Sequence, residues 1–416
     1  MELKSQNEKE LLEELINDSS KTIDLRKEDD LRHVNLIADR IYNEIQPGIY
    51  SSLEEFYSPD SNTPLMFKVA LKLAKSKHYI SRFKDNASVS VVLAMYKENN
   101  RILTNSLHPN GEDFLNVKVN QLNWLFSEFT NYNWELILVD DGCPENSGRI
   151  ARDITLENKY DNVKVLFLEE AINRNLDVVE DLDCTKDSQK GGSILYGMHE
   201  AAKSQKKNHV ILYTDADLST HLGQTGLLTK PILEDNYLSA IGSRREDCSV
   251  VIKESSRNDR GKMFIYSWKR MIPHLDYVID TQCGFKAFSS EIINDIVKPS
   301  VEKKFAFDIE LLLKTESIRR NSIYKVPIAW VDSEAESTTT NLQPYLPMLK
   351  SISKMHDIYI HNKTEESIGF AEFFKKLKES QWNTLLERIP LEIKEKSPTE
   401  FSAYNKIKAY DLEKLV

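Results

Sequence analysis

Between about residues 85 and 335, short apolar runs rich in β-branched residues alternate with longer stretches of helical periodicity. That alternation constrains the fold more than any other feature. Residues 88–94 (SVSVVLA), 136–139, 163–168, 209–213, 238–241 and 323–330 read as strands. Helical patterns over 117–129 and 194–202 lie between them. Strands joined through helices need crossover connections, which predicts an α/β fold with a mostly parallel central sheet flanked by helices. Ligands of such sheets bind beyond the carboxyl ends of the strands.

The flanks have a different rhythm. Leu11, Leu12, Leu15 and Ile16 form one helical stripe, and Leu36, Ile37, Ile41 and Ile45 another. Pro47-Gly48 and Ser58-Pro59-Asp60 read as turns, followed by a helix over 67–79. Near the other end, Phe370, Phe373, Phe374 and Leu377 recur at i, i+3, i+4 and i+7. The expected organisation is a helical N-terminal extension (1–84), a catalytic α/β domain (85–335) and a helical C-terminal extension (336–416). The terminal helices would pack on the core or form a homo-oligomer contact.

The net charge of -10 argues against a nucleic-acid partner, which needs a basic surface. Cys143, Cys184, Cys248 and Cys283 contain no CxxC pair, so no zinc ribbon or redox motif is expected. The first residues show neither a basic nor an apolar leader region. No apolar run reaches the roughly 18 residues of a membrane span. A cytoplasmic protein is expected, with peripheral membrane contact left open.

Acidic residues gather where strands end. One run closes in Val139-Asp140-Asp141-Gly142, another in Thr214-Asp215-Ala216-Asp217. Two carboxylates one residue apart offer hard oxygen ligands for Mg²⁺ or Mn²⁺, ions commonly completed by substrate phosphates and water. The plainer reading is a turn with Asp217 capping the next helix. The preceding strand and the second acidic strand end favour the metal site.

Residues 88 to about 335 resemble family 2 glycosyltransferases of the GT-A fold. Within that family they are most similar to dolichyl-phosphate glucosyltransferases and related polyprenyl-phosphate sugar transferases. The resemblance is carried, in the family's order, by Ala94-Met95-Tyr96-Lys97-Glu98, Val139-Asp140-Asp141-Gly142 and Lys190-Gly191-Gly192. It continues through TDADLS (214–219), Gly242-Ser243-Arg244, DTQCGFK (280–286) and FDIEL (307–311). It implies an inverting transferase that takes a sugar from a UDP- or GDP-sugar with a divalent cation.

It also implies roles. Tyr96, Glu98, Asp140 and Asp141 would lie against the nucleotide. Lys190 would precede a glycine pair approached by ligand. Asp215, Ala216 and Asp217 would meet the cation and diphosphate, with Ser219 where some relatives use a further ligand. Arg244 and Arg260, with Arg257 nearby, would face phosphate. Asp280, as a second catalytic acid, and Gln282 would flank the sugar or acceptor, and Asp308 would be the base. Plainer readings stand beside these: a strand-to-helix loop for Tyr96 and Glu98, solvated helix charges for Lys190 and Arg260, and a helix cap for Asp308.

Two departures bear on the acceptor. The lipid-phosphate relatives carry Gly-Ser-Lys after the last core strand, where this chain has Asp332-Ser333-Glu334-Ala335-Glu336-Ser337-Thr338. Their hydrophobic membrane segments have no counterpart here. A hydroxyl acceptor is therefore expected. The alternatives are a polyprenyl-phosphate transferase at a membrane surface and a non-catalytic nucleotide-sugar-binding protein.

Overall fold

The computed structural model describes residues 6–204, 206–252, 258–331 and 344–416. The chain opens with helices α1 (Gln6–Asp18), α2 (Glu28–Glu44), α3 (Tyr50–Tyr57) and α4 (Leu65–Arg82). Strands and helices then alternate: β1 (Ala87–Met95), α5 (Phe114–Phe126), β2 (Tyr132–Asp140), α6 (Ser147–Glu157), β3 (Val163–Phe167), α7 (Leu168–Asn173) and α8 (Gly191–Ala202). Next come β4 (His209–Thr214), α9 (Thr225–Leu233), β5 (Ser239–Ser243), β6 (Val250–Ile252), α10 (Asn258–Met271) and β7 (Phe285–Ser289). After α11 (Ile293–Val297) and α12 (Phe307–Ile318) follow β8 (Ile323–Pro327) and β9 (Ala329–Val331). Helices α13 (Tyr345–Tyr359), α14 (Glu365–Lys376), α15 (Glu379–Glu387), α16 (Leu391–Glu395) and α17 (Ala409–Glu413) complete the described chain.

The seven-stranded sheet runs β3-β2-β1-β4-β7-β5-β8. It is parallel except at β7, which is antiparallel to both β4 and β5. The α/β architecture with a mostly parallel sheet flanked by helices is as expected. Two details differ. No strand is expected between 241 and 323, yet Phe285–Ser289 is a central strand. Residues 323–330 were read as one strand, yet they divide into β8 on β5 and β9 on β6. Pro327 stands at the break, and without an N–H it cannot extend a ladder.

Chain order reverses at β1, which has β2 on one side and β4 on the other. A crevice at such a switch point is where open α/β sheets bind ligands. Register fixes what meets there. Met95 pairs with Asp140 and Leu93 with Thr214, so Tyr96, Asp141 and Asp215 all leave the sheet at one edge.

Alternation along the strands sorts the core into two layers. Val89, Val91, Leu93, Leu136, Leu138, Val210 and Leu212 share a continuous apolar cluster with Leu53, Phe67, Val69 and Leu73 of the N-terminal helices. Val92, Ile137, Val139, Ile211 and Tyr213 share the opposite cluster with Leu349, Phe370, Phe374 and Leu385 of the C-terminal helices. Each fully buried Leu, Val or Phe contributes about 1.5–3 kcal/mol. The two terminal segments therefore join apolar clusters on opposite faces of the sheet. Leu36, read as part of a helical stripe, is 57% exposed. Among the described residues, no helix is long and apolar enough to cross a membrane.

Candidate active site

The acids at the end of β2 hold the neighbouring loops. Asp140 Oδ1 accepts the N–H groups of Gly142 and Cys143, each at 3.0 Å, and Oδ2 accepts that of Gly148 at 2.8 Å in the first turn of α6. Asp141 Oδ1 accepts the hydroxyls of Ser188 (2.7 Å) and Ser193 (2.6 Å), and Oδ2 accepts the Lys190 N–H at 2.9 Å. Burial raises the Asp141 pKa, and these hydrogen bonds oppose it. Sequence reasoning expected both carboxylates to face a nucleotide. In the structure each makes three acceptor contacts that shape the loops at the strand ends.

The loop that Asp141 fixes delivers Lys190, whose φ of +80° is unusual for a side-chain-bearing residue. Its Nζ pairs with Asp215 Oδ1. Burial lowers the Lys190 pKa, but Asp215, Asp308 and Asp217 together leave it raised. Behind Asp215 lies Gly284. A Cβ there would sit 2.2 Å from Asp215 Oδ2, so only glycine lets the backbone lie against this carboxylate. Burial would raise the Asp215 pKa, and Lys190, Lys286 and Lys118 hold it low.

Asp217 Oδ1 accepts the Ser219 N–H at 3.0 Å, and the Asp217 carbonyl accepts Lys118 Nζ at 2.8 Å. Ser219, expected as a metal ligand, is 2% exposed and contributes its backbone to this turn. The Ala216 side chain turns into the apolar layer below. Lys118 is fully buried, which pulls its pKa down to about 8. Among the described residues, no three His, Cys, Asp or Glu side chains are placed to hold a metal unaided. The two partly exposed carboxylates of Asp215 and Asp217 suit a Mg²⁺ or Mn²⁺ ion whose shell is completed by substrate phosphate and water.

Beyond β5, Arg244 grips Asp280. Nε and Nη2 donate to the two carboxylate oxygens at 2.8 Å each, and the Arg244 N–H donates to Oδ2 at 2.8 Å. The guanidinium also lies 5.2 Å from the Trp330 ring centroid. Burial works against the Asp280 carboxylate, but Arg244 drives its pKa far below the usual range. Asp280 was expected to act in catalysis. A carboxylate held so low is a poor proton acceptor, and this geometry makes it the anchor of Arg244. The Gln282 amide donates to the Thr281 carbonyl at 3.3 Å. Arg260 is exposed in the first turn of α10. Arg257 and the stretch 332–338 lie outside the described residues.

Asp308 stands in the first turn of α12 and is 5% exposed. Its Oδ1 accepts the Tyr213 hydroxyl and, at 3.2 Å, Lys286 Nζ. Burial pushes the Asp308 pKa up to about 8, with Lys190 opposing. Burial likewise pulls the fully buried Lys286 down to about 8. Lys190 thus lies within electrostatic reach of both Asp215 and Asp308, joining the two acidic centres.

On the far side of β1, Tyr96 is 46% exposed, whereas Glu98 is buried against Arg101, with Nε–Oε2 at 2.7 Å. Burial raises the Glu98 pKa; Arg101 opposes this, and Asp217 and Asp215 add to it. Glu112 is also buried, and neither carboxylate oxygen has a hydrogen-bond partner among the described residues. Burial pushes it up to about 7. Sequence reasoning missed Lys118, Lys286, Arg101 and Glu112. For the lysines a signal existed: each interrupts an apolar pattern, in FLNVKVNQL and FKAF.

No family model matches the chain. Among curated proteins, the dolichyl-phosphate β-glucosyltransferase of Dictyostelium discoideum is 23% identical over 286 residues, covering 66% of this chain and 76% of the relative. That of Saccharomyces cerevisiae is 27% identical over 259 residues, covering 58% and 66%. That of Homo sapiens is 26% identical over 207 residues, covering 48% and 54%. The resemblance to family 2 glycosyltransferases holds. For the human glycosyltransferase and one from Trichomonas vaginalis, the chain spans little more than half of the relative's length, 54% and 56%. Glycosyltransferases also occur among similar solved structures. The glucosyl-3-phosphoglycerate synthase of Mycobacterium tuberculosis, bound to Mn²⁺ and UDP, has 13% identity and a TM-score of 0.41 over 74% of this chain and 86% of that one. The mannosyl-3-phosphoglycerate synthase of Rubrobacter xylanophilus has 13% identity and a TM-score of 0.44 over 74% and 82%. Likeness at that level is too remote to bear on this site.

Proposed function

We propose that the chain is an inverting glycosyltransferase that moves a sugar from a UDP- or GDP-sugar to a hydroxyl acceptor. One observation carries the reading. At the switch-point edge of the sheet, two partly exposed carboxylates, Asp215 and Asp217, lie within electrostatic reach of Lys190, which also reaches the buried Asp308–Lys286 pair. The kinship with dolichyl-phosphate glucosyltransferases supports it.

In this reading Asp215 and Asp217 hold Mg²⁺ or Mn²⁺, which offsets negative charge on the diphosphate. Arg244, braced by Asp280 on two of its donors, keeps further N–H groups for phosphate. Tyr96 offers an exposed ring for the base. The acceptor oxygen attacks the anomeric carbon as the bond to the diphosphate breaks, and Asp308 takes the acceptor proton. Tyr213 and Lys286 hold Asp308 Oδ1, which fixes the carboxyl for that transfer. The cytoplasm is the proposed compartment, supported by four cysteines free of disulfides.

Transfer to a lipid phosphate is the second reading, favoured by the relatives' own substrate. A phosphate acceptor needs no base. Thermal shift with a panel of nucleotide-sugars, with and without Mn²⁺, identifies the donor, because a ligand of the native state raises apparent stability. Turnover with that donor is expected to vanish in Asp217→Ala and in excess EDTA. Full activity in EDTA would refute the cation's role.

A further inference from the structure

We propose that Lys190 gates the cation site. Its ammonium occupies the Asp215 oxygen that a divalent cation needs, and it yields that oxygen only when cation and donor diphosphate arrive together. The proposal rests on the reading of Asp215 and Asp217 as cation ligands.

The geometry leaves one mobile partner. The Lys190 backbone is pinned, with its N–H on Asp141 Oδ2 at 2.9 Å. On either side, the N–H groups of Gln189 and Gly192 both donate to the Lys303 carbonyl, at 3.2 and 2.9 Å. Gly191 lies against that same segment, where an added Cβ would sit 2.6 Å from the Lys304 carbonyl oxygen. The loop cannot retreat. Asp215 cannot retreat either, because Gly284 lies behind its carboxylate and accepts its N–H at 3.2 Å. The Lys190 side chain, in contrast, is 30% exposed. A cation approaching Asp215 Oδ1 therefore displaces an ammonium and nothing else.

Electrostatics set the order of events. Lys190, Lys286 and Lys118 already answer the Asp215 carboxylate. A dication entering alone meets three positive groups, of which only Lys190 can swing away. A diphosphate brings the negative charge that both the cation and the released ammonium require. Cation and nucleotide should consequently bind with positive coupling, and linkage makes that coupling reciprocal.

The test measures Mn²⁺ binding directly, by the electron paramagnetic resonance of free Mn²⁺, with the full chain. Wild type, Lys190→Met and Lys190→Arg are titrated alone, with UDP and with GDP. Wild type is expected to bind Mn²⁺ weakly alone and about tenfold more tightly with the matching nucleotide. Lys190→Met should bind Mn²⁺ alone about tenfold more tightly than wild type and lose most of the nucleotide's enhancement. Lys190→Arg should follow wild type. Circular dichroism checks the fold, and Lys190→Gln takes the place of a Met variant that does not fold. Equal affinity for Mn²⁺ alone in wild type and Lys190→Met, with the UDP or GDP enhancement intact, overturns the gate and leaves the cation site standing. Absence of Mn²⁺ binding in every protein with every nucleotide overturns both.

Discussion

Replacing Gly284 by Ala tests the position of Asp215 without touching a charged group. The added Cβ would lie 2.2 Å from Asp215 Oδ2, 2.4 Å from Cγ and 2.5 Å from Oδ1, where ordinary contact begins at 3.4 Å. The carboxylate must move by the difference, over 1 Å. The Asp215 N–H bond to the Gly284 carbonyl and the β4–β7 ladder tie the two backbones together, so the side chain absorbs the shift. A misplacement of about 1 Å costs on the order of 100-fold, or about 2.7 kcal/mol. Stability should change little. Gly284 has no positive φ, so Ala is allowed there, and the unfolded chain loses entropy worth about 0.4–1 kcal/mol. Overpacking of about 1–3 kcal/mol opposes that gain, leaving a net loss of about 1 kcal/mol. Turnover of the nucleotide-sugar in Mn²⁺ reads the first effect, and urea denaturation reads the second. Gly48→Ala, with nothing within 4 Å of the added carbon, is the control. A folded Gly284→Ala protein with wild-type turnover in Mn²⁺ would refute the assignment of Asp215 to the cation.

With a hydroxyl acceptor, the rate should climb with pH to an apparent pKa near 8 that belongs to the Asp308–Lys286 pair. Asp308→Asn should remove that limb and about 100- to 10,000-fold of the rate; a near-normal rate would point to a phosphate acceptor. The folded pKa of Asp308 lies above its unfolded value, so its stabilising contribution is whole below about pH 4 and fades as pH rises through about 8. Urea melts of Asp308→Asn should accordingly vary less with pH across that window. Glu112, raised to about 7, has the same sign. Glu112→Gln should be more stable than wild type at pH 8 and close to it at pH 5. Asp280→Asn removes the charge that Arg244 grips and should cost about 3 kcal/mol in urea melts, together with weaker nucleotide binding.

The α/β architecture was legible because burial on both faces leaves long apolar runs, and strand ends show as abrupt polarity. β7 was not legible as a strand, since its pairing comes from β4 and β5, distant in sequence. Of the candidate site, the residue types could be read and their partners could not. Lys190 and Asp215 are 25 residues apart, Lys286 and Asp308 22, and Arg244 and Asp280 36. Asp140 and Asp141 look alike on paper to Asp215 and Asp217. Local geometry separates them: a turn and a helix start consume the first pair, while the second stays partly exposed beside Lys190.

The sequence by itself determined that strands alternate with helices, that two strands end in paired acids, and that helical segments precede and follow the strand-bearing stretch. Those are periodicities and local polarities, written in neighbouring residues. The tertiary structure alone decided that the two terminal segments join apolar clusters on opposite faces of one sheet and that Asp280 braces Arg244. It also decided that three buried or half-buried lysines surround the acids meant for a cation. Those outcomes depend on which strand ends the sheet order brings to a common edge, and on how burial reweights each charge once it arrives there.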